Sequence, residues 1–89
     1  MKLSVIGCGY VGLVTGICLA EAGHEVVATD NDAQRIAALQ GGKIPIYEPQ
    51  LNELLEGVMR SGRLRFTGDC AEAVRAGDVV FICVGTPPL

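Results

Sequence analysis

The sequence contains no apolar run approaching the ~18 residues that a membrane span requires. It has no excess of basic charge either. Seven Lys and Arg face ten Asp and Glu, interspersed, so the net charge of −3 supplies no basic surface for nucleic acid. The amino terminus lacks a secretory pattern: Lys2 is followed by a strand-like run and glycines. The cysteines, Cys8, Cys18, Cys70 and Cys83, form no CxxC pair, and no nearby histidine completes a zinc-like set. None has an obvious base partner, which argues against a nucleophilic role. Cys18 and Cys83 sit inside apolar segments, where a free thiol behaves as a small hydrophobe. The expectation is four reduced thiols in a cytoplasmic protein. Internal repeats, linkers and low-complexity segments are also missing.

What is present is 89 residues, nearly half of them apolar, enough for one small domain with a core. Strands are expected at Leu3–Ile6, Glu25–Asp30, Leu64–Phe66 and Asp78–Val84. Helices are expected at Tyr10–Ala22, closed by Gly23; from an Asn31 or Asp32 cap through Leu39, ended by Gly41 and Gly42; at Gln50–Ser61, after Pro49; and from an Asp69/Glu72 capping box to Gly77. Leu51, Leu54, Leu55 and Val58 form one apolar stripe on the third helix. Lys43–Pro49 reads as an extended loop.

Alternating strands and helices imply a parallel sheet with right-handed crossovers and helices on both faces. LSVI, VVA and VVFICV are unbroken apolar runs, as strands covered on both faces should be. LRF alternates and belongs at an edge. The expected fold is α/β and Rossmann-like, with strand order 3-2-1-4.

Gly7-Cys8-Gly9-Tyr10-Val11-Gly12 matches GxGxxG, with a strand just before it and a helix beginning inside it. Gly7 allows the turn off the strand, Gly9 lets backbone approach a pyrophosphate, and Gly12 lets the helix pack closely. Gly16 and Ala20 continue that helix row. The same glycines would also serve a tight turn without ligand. Asp30 favours the ligand. It ends the second strand 18 residues past Gly12, where a carboxylate accepts from the adenosine ribose hydroxyls and disfavours a 2′-phosphate, so NAD is expected over NADP. The lesser alternative for Asp30 is a cap on the next helix, and the two roles can coexist. Arg35, one turn on, would stack on adenine, flank the ribose or stand solvated at the surface. Thr86 lies in the GTPP loop at a carboxyl strand end, either offering its hydroxyl or backbone to the cofactor or forming a simple turn. His24, at the opposite end of the sheet, and Tyr47 and Glu48, before a helix, read as structural.

KLSVIGCGYVGLVTG, HEVVATD, PIYEP and VVFICVGTPP together resemble the amino-terminal portion of the UDP-glucose/GDP-mannose dehydrogenase family, over essentially the whole chain. GYVGL with PIYEP and VGTP is far more specific than the glycine pattern alone. One departure is visible: the family usually reads YEPGL, and Gln50 stands in place of that glycine. Tyr47 resembles the UDP-glucose members more than the GDP-mannose members. The resemblance implies an NAD-dependent four-electron oxidation, UDP-glucose to UDP-glucuronate with two NAD per turn, through a thiohemiacetal on a cysteine nucleophile. That cysteine, a lysine and the sugar-nucleotide pocket would lie beyond Leu89, and no cysteine in this chain matches the nucleophile. By motif position, Gly7, Gly9, Tyr10, Val11, Gly12, Asp30, Arg35 and Thr86 correspond to family NAD contacts. No catalytic residue and no metal ligand is expected here.

A strand as apolar as VVFICV should be flanked on both sides, yet order 3-2-1-4 gives it no outer neighbour. The expectation is therefore an incomplete, truncated domain. Residues 1–89 would be the N-terminal part of a dinucleotide-binding domain, without its remainder or a substrate domain, and inactive alone. Expected partners are a sugar nucleotide and further copies in a homo-oligomer, with no nucleic acid and no membrane. GDP-mannose as the substrate, a non-catalytic dinucleotide-sensing module associating through its open edge, and the ADP-binding half of a flavoprotein stay open.

Overall fold

The computed structural model describes residues 1–44 and 48–84. The elements run β1 (Lys2–Ile6), α1 (Tyr10–Glu21), β2 (Glu25–Thr29), α2 (Ala33–Gln40), α3 (Pro49–Arg60), β3 (Leu64–Thr67), α4 (Cys70–Ala76) and β4 (Val79–Ile82). The four strands form one parallel sheet in the order β3-β2-β1-β4, as the sequence implies.

Neighbouring residues on a strand point to opposite faces, which places the helices. A Cβ added at Gly16 of α1 would lie 3.8–3.9 Å from the side chains of Val5, Val26 and Leu64. The hydroxyl of Ser4, next to Val5 on β1, donates instead to the Ala73 carbonyl of α4. So α1 covers one face and α4 the other, and α3 packs against α1. Buried Leu3, Ser4 and Val5 on β1, and Val26 to Thr29 on β2, are covered from both sides. Leu13, Ile17, Leu39 and Leu55 are fully enclosed, each contributing roughly 1.5–3 kcal/mol by leaving water.

Local chemistry explains most boundaries. Gly23 takes φ +106° after the Ala22 cap of α1, and Gly42 takes φ +80° after α2. Asp32, rather than Asn31, caps α2 by accepting from the Gln34 and Arg35 amides. Glu48 caps α3, with Pro49 at the first helical position and Gln50 donating its amide to that carboxylate. Gln50 thus lies in a regular first turn, where nothing demands glycine.

Several expectations need correction. Asp30 lies just past β2, which ends at Thr29. Leu54 is 39% exposed, so α3 buries only Leu51, Leu55 and Val58 of its stripe. Cys18 is exposed on α1, which is apolar all round and so carries no sequence mark of its outer face. Only half of the Asp69/Glu72 capping box forms. Asp69 accepts from the Glu72 amide, while the Glu72 carboxylate turns to Arg65, 2.6 Å away, and to Thr67. β4 is exposed throughout: Val79 44%, Val80 37%, Phe81 36% and Ile82 74%. No helix among the described residues is long and apolar enough to cross a membrane.

Candidate functional site

The carboxyl ends of β1, β2 and β4 meet around the glycine turn. Gly7 takes φ +102°, its amide donates to the Thr29 carbonyl at 2.8 Å, and an added Cβ would lie 2.9 Å from the Cys83 carbonyl. Both its conformation and its space are therefore closed to a side chain. At Gly12 a Cβ would fall 1.7 Å from the Gly7 oxygen, so that glycine lets α1 start against the turn. Gly9 differs: an added Cβ would meet nothing within 4 Å among the described residues. Its bare backbone opens onto a cleft of about 380 Å³ lined by Gly7, Gly9, Asp30, Asn31, Arg35, Cys83 and Val84. At Gly16 the surroundings allow ordinary contact, so close approach does not extend along the helix.

The helix starts carry a second clue. Asp32, Glu48 and Asp69 cap α2, α3 and α4 through their carboxylates. The α1 cap is Gly9, with no side-chain hydrogen bond among the described residues and no acid in the first turn. Its amino-terminal amides and positive dipole end are left for an anion from outside, beside the open side of Gly9. These features fit a dinucleotide pyrophosphate.

Asp30 is joined to this turn. Its side chain is 6% exposed. Oδ2 accepts from the Cys8 amide at 2.7 Å and from Arg35 Nη1 at 3.2 Å, and Oδ1 accepts from the Asp32 amide at 2.8 Å. Burial alone would push this carboxyl up, but the two amides and the guanidinium outweigh it and hold the group below its ordinary value. Asp30 is thus an anion near neutral pH, and among the described residues Oδ1 accepts only from the Asp32 amide, which leaves it acceptor capacity.

The structure brings Gly7, Gly9, Asp30 and Arg35 to one cleft. Gly12 stands behind the turn, and Tyr10 and Val11 are exposed at the start of α1, 58% and 66%. Thr86 and Tyr47 lie outside the described residues. Sequence reasoning missed the Cys8 and Asp32 amides and the cleft-lining Asn31, Cys83 and Val84. An adjoining cavity of about 340 Å³, lined in part by Ile6, Thr29, Gly68 and Cys70, extends the cleft toward β3. The buried Thr29 Oγ1 beside it has no hydrogen-bond partner among the described residues. No group of residues suited to a metal occurs among those described.

Cys8 is fully buried, its thiol donating to the Thr29 carbonyl at 3.3 Å. Burial, then the Asp30 charge, pushes its pKa from 9.0 to about 12, against the lowering effect of Arg35. An unfolded thiol ionises first, so this group's contribution to stability is complete below pH 9.0 and is lost as pH rises toward about 12. Thiol reagents are expected to label exposed Cys18 and Cys70 promptly and Cys8 only in denaturant. Mass-spectrometric mapping of the labels checks the order, and early labelling of Cys8 would contradict it.

Known proteins agree with this geometry. The family model for the UDP-glucose/GDP-mannose dehydrogenase family, NAD binding domain, matches residues 1–89. A UDP-glucose 6-dehydrogenase of Rhizobium meliloti is 56% identical over 87 residues, 98% of this chain and 20% of that protein. A GDP-mannose 6-dehydrogenase of Pseudomonas syringae pv. syringae is 51% identical over 87 residues, again 98% and 20%. The crystal structure of a ternary complex of GDP-mannose dehydrogenase from Pseudomonas aeruginosa superposes with TM-score 0.92 at 47% identity, covering 98% of this chain and 20% of that one. The chain spans about a fifth of the length of these relatives. It belongs to the UDP-glucose/GDP-mannose dehydrogenase family, as an NAD-binding portion.

Proposed function

We propose that the chain holds the adenosine half of NAD for a UDP-glucose 6-dehydrogenase that oxidises UDP-glucose to UDP-glucuronate with two NAD. The observation that carries the reading is the bond from the Cys8 amide to Asp30 Oδ2. It makes the phosphate turn and the ribose-gripping carboxylate one rigid unit. Gly7, Gly9, Tyr10, Val11 and Gly12 would form the pyrophosphate side, Asp30 would accept from the ribose hydroxyls, and Arg35 and Thr86 would flank them. Bound NAD supplies the hydride acceptor, and the residues of this chain bind and orient it.

In this reading residues 1–89 are the N-terminal part of a dinucleotide-binding domain. Its remainder would cover β4, whose apolar residues are exposed at the sheet edge, and the substrate residues would lie outside the chain. A cytoplasmic homo-oligomer acting on a sugar nucleotide belongs to the same proposal. GDP-mannose is the competing substrate, since relatives of both kinds are about equally similar.

The test is NADH formation by the full-length protein with each sugar nucleotide. UDP-glucose is expected to yield two NADH per molecule oxidised. Turnover with GDP-mannose alone would reassign the substrate, and turnover with neither would overturn the reading.

A further inference from the structure

Cys70, the first residue of α4, opens onto the cavity of about 340 Å³ beside the cleft. Cavity and cleft share Gly7, Asp30, Asn31 and Val84. Cys70 is exposed, whereas Cys8 is buried with its thiol on the Thr29 carbonyl, and Cys83 is half-buried in the cleft wall. Reversible capping of a thiol follows its exposure. Of the three thiols around the cleft, Cys70 is the one a solute meets first.

The same cavity holds a hydroxyl with nothing to bond. Ile6 and Thr29 are partners across β1 and β2, two residues past the partners Ser4 and Val27. Alternate strand residues share a face, and Ser4 faces α4, so Thr29 turns its side chain to the α4 side. There Ile6, Thr29 and Cys70 line the cavity together. Thr29 is 2% exposed, and its Oγ1 has no hydrogen-bond partner among the described residues. Buried polar atoms are paired as a rule, so this one marks a place for a polar group from outside. Thiol and hydroxyl supply what a tethered ligand needs: an anchor for a covalent bond and a donor for the group it carries.

We propose that Cys70 is a reversible modification site for low-molecular-weight disulfides of the peptide-thiol class, and that the adduct and NAD exclude one another, which rests on the dinucleotide reading of the cleft. The step is thiol–disulfide exchange. Cys70 gives its proton to water, and its sulfur attacks one sulfur of the disulfide RSSR. A Cys70–S–S–R bond forms, the RS–SR bond breaks, and the second half leaves as the thiolate RS−. Cys70 is oxidised and the departing half is reduced, so no further oxidant enters. Thr29 Oγ1 donates to a carbonyl of the attached group. That group then abuts Gly7 and Asp30, where the adenosine half of NAD would lie. Attack by a second thiol reverses the exchange, so capture of the cofactor follows the thiol–disulfide balance of the surroundings.

The test uses the full-length protein, with glutathione disulfide as the probe and calorimetric titration with NAD as a readout separate from turnover. Peptide mapping by mass spectrometry is expected to find glutathione on Cys70. The number of NAD sites per chain should fall in proportion to the fraction modified there, and dithiothreitol should restore it. Cys70→Ser, given the same treatment, should keep all its sites. Saturating NAD should protect Cys70 and leave the labelling of Cys18, exposed on α1, unchanged. Thr29→Val keeps the branched shape without the hydroxyl and should lower the yield of adduct several-fold at the same ratio of disulfide to thiol. Glutathione on Cys70 with undiminished NAD sites, a loss of sites that persists in Cys70→Ser, or a yield untouched by Thr29→Val would overturn the inference. Failure of the unmodified protein to bind NAD would instead sink the dinucleotide reading beneath it.

Discussion

Gly12→Ala is expected to unfold much of this protein at temperatures where the unaltered chain is stable. The added methyl would lie 1.7 Å from the Gly7 carbonyl oxygen, 2.8 Å from its carbon and 3.2 Å from the Cys83 Cβ. Two of these atoms are backbone and cannot turn aside as a side-chain end would. Relief requires α1 to move off the turn, loosening the seat of Leu13 and Ile17, both fully enclosed. Overpacking a well-filled core costs about 1–3 kcal/mol, and a backbone collision stands at or above the top of that range. A loss of about 3 kcal/mol lowers the melting temperature of a domain this size by roughly 12–24 °C. Circular dichroism during heating measures it. Gly16→Ala, on the same helix but with neighbours at 3.8–3.9 Å, is the control and should melt within a few degrees of the parent. A Gly12→Ala protein that melts like its parent would contradict the described packing of α1 on the turn.

Gly9→Val is expected to do the opposite, sparing the fold and abolishing NAD binding. An added Cβ at Gly9 meets no atom of the described residues within 4 Å, and Gly9 has φ −66°, which any residue adopts. The valine methyls would project from the open side of the turn, where the pyrophosphate would lie. Two or more charge-assisted hydrogen bonds would be lost, together worth upward of about 3 kcal/mol, so affinity should fall by more than about 100-fold. Calorimetric titration with NAD, beside a melting curve, separates the two effects. Undiminished binding by a folded Gly9→Val protein would remove the phosphate from this turn.

The contrast between these glycines marks how far the sequence could be read. Element order and strand order followed from the alternation of apolar runs with helix caps, because β1 and β2 are covered on both faces. That Gly7, Gly9 and Gly12 differ in kind was legible from the motif. That Gly16 is not required was not, because space beside a helix is set by the size of Val5, Val26 and Leu64 across the sheet. The proposal of Asp30 as a ribose acceptor comes from its offset alone. The engagement of Asp30 with Cys8, Asp32 and Arg35 was not legible, since it depends on three backbone and side-chain directions converging after folding. Leu54 matched helical spacing, yet α3 turns a narrower stripe to its neighbours than four such positions cover.

Cys83 and Val84, just past the last strand, form a wall of the same cleft as Gly7 and Gly9, just past the first. Synthesis must reach Val84 before that wall exists, and contacts between residues so far apart form late and slowly. A growing polypeptide on the ribosome would therefore have the glycine turn long before it could retain a nucleotide. Capture of ligand reports that β4 has docked beside β1, which makes binding a clock for the pairing of those two strands.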